Sequence, residues 1–259
     1  MSLHVTPSED LRLVAFDLDD TLAPSKMPLD TEMAAALARL LNSYEAAVIS
    51  GGQLSQFQSQ VLSRLADQPA LKHTLHLLPT CGTQYYRMEP GRSPEELVRV
   101  YRRDLAADLR RRTVETIEST ARELGFWESS PWGNIIEDRG TQVTFSALGQ
   151  QAPLAAKRAW DPDGSKKAAL VQALEKQLPQ LEVRSGGATS VDVTARGVDK
   201  AYGIRSLLES TGYAPLNLVF LGDRLDERGN DYPVLATGVP CQAVSSPADT
   251  LAWLRRLLA

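Results

Sequence analysis

The sequence predicts an α/β fold: a Rossmann-like, doubly wound parallel sheet, interrupted by an inserted α+β domain. Three observations carry this. Short apolar runs that close in acidic or glycine-bearing turns alternate with helical stretches over the first eighty residues. After Thr80-Cys81-Gly82 the texture changes to a charged helical pattern and alternating, strand-like runs. Strand–helix alternation then returns from Asp199. The expected plan is a discontinuous core, residues 1–83 and 188–259, holding an insertion of residues 84–187.

In chain order, Leu11 to Phe16 is an apolar run ending in an acidic turn, as a buried parallel strand requires. Leu29 to Leu41 has helical periodicity, with Asp30 or Thr31 able to cap it. Glu45 to Ile49 is a second strand, closed by Ser50-Gly51-Gly52, and Gln53 to Leu65 is a helix. In the insertion, Val98 to Leu124 reads as one long Arg/Glu-rich helix. Ile135 to Leu148 reads as strands turning at Arg139-Gly140. Lys166 to Leu178 is helical, and Leu181 to Val193 is strand-like with a break at Gly186-Gly187. The returning core contributes a helix over Asp199 to Ser210, a strand over Leu216 to Leu221 and a last helix from Pro247 to Leu258.

The 259 residues carry a formal net charge of -4, which argues against a dominant nucleic-acid role. The basic group Arg99, Arg102, Arg103, Arg110, Arg111 and Arg112 is interleaved with Asp104, Asp108 and Glu115, as on a solvated helix face. No apolar run reaches membrane-spanning length, and Met1 to Asp10 lacks the apolar stretch of a secretory leader. Cys81 and Cys241 are far apart and form no CxxC pair, so a reduced, cytoplasmic protein without structural zinc is expected. No phosphate-loop or dinucleotide fingerprint occurs. His73 and His76 lie in an apolar run and read as structural. Asp161-Pro162-Asp163-Gly164 lacks the rest of a calcium loop. Trp127, Trp132 and Trp160 read as packing residues before sugar contacts.

The chemistry concentrates at Asp17-Leu18-Asp19-Asp20-Thr21. In open α/β sheets, ligands bind at the carboxyl ends of strands. Alternation along an extended segment turns Asp17 and Asp19 to the same side. Two carboxylates there suit Mg²⁺, which takes few protein oxygens and leaves room for phosphate. They also suit a division of labour, one attacking phosphorus and the other moving a proton. Ser50 with Gly51 and Gly52 offers a hydroxyl and bare N–H groups at a helix start, a phosphate cradle. Lys200 at a helix N-terminus works against the macrodipole, which suggests placement for an anion. Gly222-Asp223 ends another core strand, with Asn230-Asp231 on the same loop, and could complete a Mg²⁺ site with Asp17.

In this order and placement, the motifs resemble the four motifs of the haloacid dehalogenase superfamily: Asp17 to Thr21, Ser50, Lys200, and Asp223 with Asp231. The run Gly186 to Val193 followed by Gly197-Val198-Asp199-Lys200 is similar to the eukaryotic-type phosphomannomutases. So are Ile136-Glu137-Asp138-Arg139 through Leu148-Gly149, the Gly222 to Asp231 loop, and Ser245 to Thr250. The resemblance implies a type IIB cap and sugar-phosphate chemistry. It makes Asp17 the nucleophile and a metal ligand. Asp19 becomes the acid/base, lending a backbone carbonyl to the metal, with Asp223 a ligand and Asp231 close by. It gives Lys26, Gly51, Arg139, Gln150, Lys157, Ser190 and Asp192 to substrate binding. A homodimer formed through the cap is a further implication. Where the family has a cap arginine, this chain has Gln150. Gln cannot make the charge-assisted bonds by which Arg grips phosphate, and Lys157 or Arg158, near the position of another family arginine, is the candidate replacement. Asp20 stands where many relatives carry Gly. The leading expectation is a Mg²⁺-dependent phosphatase acting on a small phosphate ester, a sugar phosphate, through an aspartyl-phosphate. A phosphohexomutase is the alternative, and a non-catalytic sugar-phosphate sensor the remote one.

Overall fold

The computed structural model describes residues 8–66, 68, 71–93, 95–227 and 229–259. Most of the leader reading, residues 1–7, therefore lies outside the described residues. The chain forms two compact units, Met1–Arg102 with Asp199–Ala259, and Arg103–Val198.

The first unit is built on seven strands: β1 (Leu13–Asp17), β2 (Glu45–Ile49), β3 (Leu75–Leu78), β4 (Gln84–Met88), β5 (Val98–Arg102), β10 (Leu218–Gly222) and β11 (Cys241–Ala243). Their order is β11-β10-β1-β2-β3-β4-β5. The strands from β11 to β3 pair in parallel, and β4 and β5 add an antiparallel hairpin. Strand β1 is buried along its whole length, as its unbroken apolar run requires. Val14 and Phe16 pack with α1 (Thr31–Leu40) and α8 (Pro247–Leu257) on one face. Leu13 and Ala15 pack with Ile204 and Leu207 of α7 (Lys200–Thr211) on the other. Fully burying each such Leu, Val or Phe contributes roughly 1.5–3 kcal/mol. The chain winds away from β1 toward β2 on one side and returns through β10 on the other. The carboxyl ends of β1 and β10 thus flank the switch point, where ligands bind in such sheets.

Asp30 caps α1 by accepting from the Met33 N–H at 2.8 Å. The stretch after Ser50 is less regular than its sequence suggests. A short α2 (Leu54–Phe57) passes through a π-turn (Gln58–Leu62) into α3 (Ser63–Leu65). His76 is structural: its Nδ1 lies 2.6 Å from Tyr85 Oη and its Nε2 3.0 Å from Glu45 Oε2.

The second unit holds a four-stranded antiparallel sheet, β6-β7-β9-β8, made of β6 (Ile136–Asp138), β7 (Gln142–Ser146), β8 (Leu181–Ser185) and β9 (Ser190–Ala195). Val143, Phe145, Val191 and Val193 form its apolar face. They pack with Ile117 and Ala121 of α4 (Ala107–Glu123) and with Leu170 and Leu174 of α6 (Ser165–Gln177). Between β7 and α6 runs the short α5 (Leu154–Trp160).

Two sequence expectations need correction. Val98–Arg102 is a strand, not the start of the long helix. Its Val-Arg-Val-Tyr-Arg pattern has period two, and it pairs with β4. The helix begins at Ala107, and of the basic group Arg110 pairs across to Asp138 at 3.6 Å. The unit boundaries also move, from 83/84 to 102/103 and from 187/188 to 198/199. The β4-β5 hairpin is hydrogen-bonded to β3 in the first sheet, whereas β9 sits between β7 and β8 in the second. Asp161 is a capping residue, not a calcium ligand: its two oxygens accept from the N–H groups of Lys166 and Lys167. Among the described residues, no helix is long and apolar enough to cross a membrane.

Candidate active site

Asp17 is the last residue of β1 and is 4% exposed. Lys200, the first residue of α7, reaches it with Nζ 2.6 Å from Asp17 Oδ1. The same ammonium lies 2.5 Å from Asp231 Oδ1, and neither Lys200 nor Asp231 is more than 1% exposed. Asp223, just beyond β10, joins them, so that Asp17, Asp223 and Asp231 each offer an oxygen within 4.8 Å of the others. A lysine against the helix dipole is here offset by two carboxylates and by Asp199, whose side chain caps α7 at the Tyr202 N–H.

Local packing explains how these groups meet. A Cβ on Gly203 would lie 2.3 Å from Ile49 Cδ1 and 2.8 Å from Cys81 O, so glycine there lets α7 settle onto the strand ends. A Cβ on Gly222 would lie 2.5 Å from Asp231 Oδ2. Glycine at the end of β10 therefore makes the space the Asp231 carboxylate fills. That oxygen also accepts from the Arg224 N–H at 3.0 Å, folding the loop back on itself. Gly222→Ala is expected to displace Asp231, at about 1–3 kcal/mol of stability, and to weaken divalent-cation binding. Thermal unfolding with and without Mg²⁺ measures both; an unaltered cation response removes Asp231 from the site.

Three carboxylates share one ammonium, and the imbalance shows in their proton affinities. Burial pushes the Asp17 carboxyl well above the usual carboxylate range; Lys200 opposes this and Asp231 adds to it. Asp223 is raised by burial and then by the Asp231 charge. Burial disfavours the charge on Lys200, but Asp17 and Asp231 outweigh it, and its pKa rises.

Asp19 takes a different place. Its carboxylate is not one of the three clustered carboxylates. Oδ1 accepts from the Lys26 N–H at 2.7 Å and from Gln56 and Gln60 at 3.3 and 3.4 Å. These donors hold the Asp19 carboxylate, and the metal contact that the resemblance implies for Asp19 is through its backbone carbonyl. The Lys26 side chain is exposed, and its backbone N–H makes this contact. Asp20 has φ of 60°, a left-handed conformation that Gly adopts without cost and Asp tolerates, which accounts for the exchange at this position. Ser50 is buried at the end of β2, its Oγ accepting from the Gly52 N–H at 3.1 Å, with Gly51 between them.

The remaining predicted residues belong to the second unit. There, Gln150 Nε2 donates to Ser146 Oγ at 2.9 Å, and Ser146 Oγ lies 3.2 Å from Ser190 Oγ. Lys157 Nζ donates to the Gln150 carbonyl at 2.8 Å. The Asp192 carboxylate accepts from Gln142 and Thr144 at 2.7 Å each. Arg139 is engaged with Glu137, at 2.8 Å through Nη2. Trp127 stacks under Arg122 and Trp160 meets Phe126 edge-on, as packing residues do, while Trp132 is exposed. Gln56 and Gln60 escaped the sequence reading; their spacing of four on one helical stretch was the available signal.

The eukaryotic phosphomannomutase family profile matches residues 33–259. The chain belongs to this family. The profile match starts beyond the Asp17 turn, which stands on its own geometry. The phosphomannomutase of Saccharomyces cerevisiae is 26% identical over 251 residues, covering 95% of this chain and 93% of that one. Human phosphomannomutase 1 is 25% identical over 252 residues, covering 95% and 91%. Among solved structures, a haloacid dehalogenase-like hydrolase from Bacteroides thetaiotaomicron superposes with a TM-score of 0.62 at 14% identity, covering 95% of this chain and 99% of the other. A Plasmodium falciparum IMP-nucleotidase superposes at 0.70 and 15%, covering 96% and 62%. These structures establish the fold, and family membership makes this phosphomannomutase relative a phosphoryl-transfer enzyme of the haloacid dehalogenase superfamily.

Proposed function

We propose that the chain is a Mg²⁺-dependent phosphohexomutase that carries the phosphoryl group on Asp17. The carrying observation is the strand-end cluster: Asp17, Asp223 and Asp231 against the single ammonium of Lys200. Three carboxylates and one cation leave two negative charges, the deficit a hard divalent ion fills. Asp17 and Asp223 are its proposed ligands, with Asp231 beside them. When bound, the ion neutralises charge on the transferring phosphoryl group.

The chain's own residues do the rest. Asp17 attacks phosphorus in line with the ester oxygen, and Asp19 delivers the proton that this oxygen needs on leaving. Lys200 opposes the burial penalty on ionised Asp17, orients it, and shares the charge of the equatorial oxygens. Ser50 and the N–H groups around Gly51 cradle the phosphate.

Return of the phosphoryl group to sugar, rather than to water, is the reading that family membership supports. Lys157 supports it too: its ammonium at the Gln150 turn restores a cation where the family arginine is missing. Ser190 and Asp192 are proposed sugar contacts in the same unit. Hydrolysis is the second reading, favoured by Gln150, whose amide is committed to Ser146. The assay follows mannose 1-phosphate in Mg²⁺ with a hexose bisphosphate activator. Mannose 6-phosphate forming faster than inorganic phosphate is expected; phosphate release as the faster process establishes the hydrolase, and turnover that survives EDTA refutes the metal.

A further inference from the structure

Asp19 is gripped by a device that belongs to no strand end. Gln56 Nε2 lies 3.3 Å from Asp19 Oδ1 and 3.1 Å from Oδ2, and Gln60 Nε2 lies 3.4 Å from Oδ1. With the Lys26 N–H, Oδ1 takes three donors, while Oδ2 takes one among the described residues. The π-turn Gln58–Leu62 contains Gln60 and follows Gln56, and single π-turns within helices are frequent at functional sites. Gln60 is only 2% exposed and ties this segment to the loop bearing Lys26. Its Nε2 donates to the Met27 carbonyl at 2.6 Å, and its own carbonyl accepts from the Leu29 N–H at 2.9 Å. Yet Gln60 Oε1 is buried without a hydrogen-bond partner among the described residues. An orphaned acceptor of this kind costs about 1–3 kcal/mol. A glutamine serving stability alone would be better replaced by an apolar side chain of its shape, so retention points to a task.

We propose that Gln56 and Gln60 are positioning residues that fix the Asp19 carboxyl, Gln60 through Oδ1 and Gln56 across both oxygens, so that Oδ2, with one donor against three on Oδ1, carries the proton it transfers. The inference rests on the reading of Asp19 as acid/base. In the step concerned, Asp17 forms a bond to phosphorus and the bond from phosphorus to the ester oxygen breaks. The proton on Asp19 Oδ2 passes to that oxygen, which leaves as an alcohol, and Asp19 is left as carboxylate. A sugar alkoxide is a poor leaving group and needs this proton; p-nitrophenolate leaves well without it.

The experiment compares kcat/KM for a hexose 6-phosphate and for p-nitrophenyl phosphate in Gln56→Leu, Gln60→Leu and Asp19→Asn, each shown folded by circular dichroism. Gln56 is half-buried on the segment and gives the variant least burdened by packing. The glutamine variants are expected to lose roughly 10- to 100-fold on the sugar ester, less than the roughly 10²–10⁴-fold that loss of the general acid itself gives, and about 3-fold or less on the aryl ester. Gln60→Leu removes the orphaned oxygen but also the bond to the Met27 carbonyl, two effects of similar size and opposite sign, so its thermal stability is not the readout and its fold is checked by circular dichroism. Equal losses on both esters, or none, in folded Gln56→Leu overturn the proposal. Asp19→Asn separates the two levels of inference. If it too lowers both esters equally, the acid/base reading itself fails. If it discriminates while the glutamine variants do not, only the positioning role fails.

Discussion

Asp17→Asn abolishes turnover and, in EDTA, makes the protein more stable. Loss of activity follows from removing the proposed nucleophile: without it no covalent phosphoryl intermediate forms, and a fall of at least about 10⁴-fold in kcat is expected for an essential group of this kind. The stability gain follows from electrostatics. In the metal-free protein the ionised Asp17 is penalised by burial and by Asp231, so its folded-state pKa lies above the unfolded one. Such a group costs nothing below the unfolded pKa, and its penalty accumulates as pH rises through the interval up to the folded pKa. Asparagine never ionises and can still accept from Lys200. The variant is therefore expected to melt about 2–4 °C higher at neutral pH, the shift that about 1 kcal/mol gives in a chain of this size. Its loss of stability with rising pH will be shallower than that of the parent protein, and the gain will shrink in Mg²⁺. Calorimetry across pH, with and without EDTA, measures all three; a lower melting point in EDTA at neutral pH refutes the charge argument.

Lys200→Met gives the largest loss of stability. It removes the cation that lies between Asp17 and Asp231 and leaves two carboxylates facing each other, at 6% and 0% side-chain exposure, around a hydrophobic stem. Breaking a buried pair in this way costs about 3–5 kcal/mol because the remaining charge is uncompensated. Here the cost is limited by protonation of Asp17, whose pKa is already raised. A fall in melting point of roughly 10 °C is expected in EDTA and a smaller one in Mg²⁺, where the cation supplies part of the missing charge. Equal falls in the two buffers argue that no divalent ion sits at this cluster.

Much of this site was readable in the residues because strand ends impose order. Asp17, Ser50, Lys200 and Asp223 each follow or open an element whose apolar periodicity marks it. The parallel sheet then gathers those ends at one edge. What periodicity could not carry was tertiary in origin. The π-turn needs an added residue per turn that no hydrophobic pattern records, so Gln53 to Leu65 reads as one plain helix and nothing singles out Gln56 and Gln60. The strand at Val98–Arg102 was hidden by its arginines, which a helix reading absorbs as readily as an edge strand does. Asp19 and Asp223 looked equivalent as acidic turn residues. Only their partners, two amides for the one and two carboxylates for the other, separate them.

The placement of β10 beside β1 bears on how the protein is made. Strand β1 pairs on one side with β2, which follows within thirty residues, and on the other with Leu218–Leu221. On a ribosome, β1 would therefore wait with one backbone edge unpaired until Leu218–Leu221 have emerged, about two hundred residues later. An unpaired edge that is apolar from Leu13 to Phe16 is a template for aggregation. Chains halted before Leu218 should accumulate with chaperones or as inclusion bodies. Because Asp223 and Asp231 come after that strand, such fragments would also lack two of the three clustered carboxylates, so the phosphoryl-transfer chemistry could begin only after the Gly222–Asp231 loop has been made.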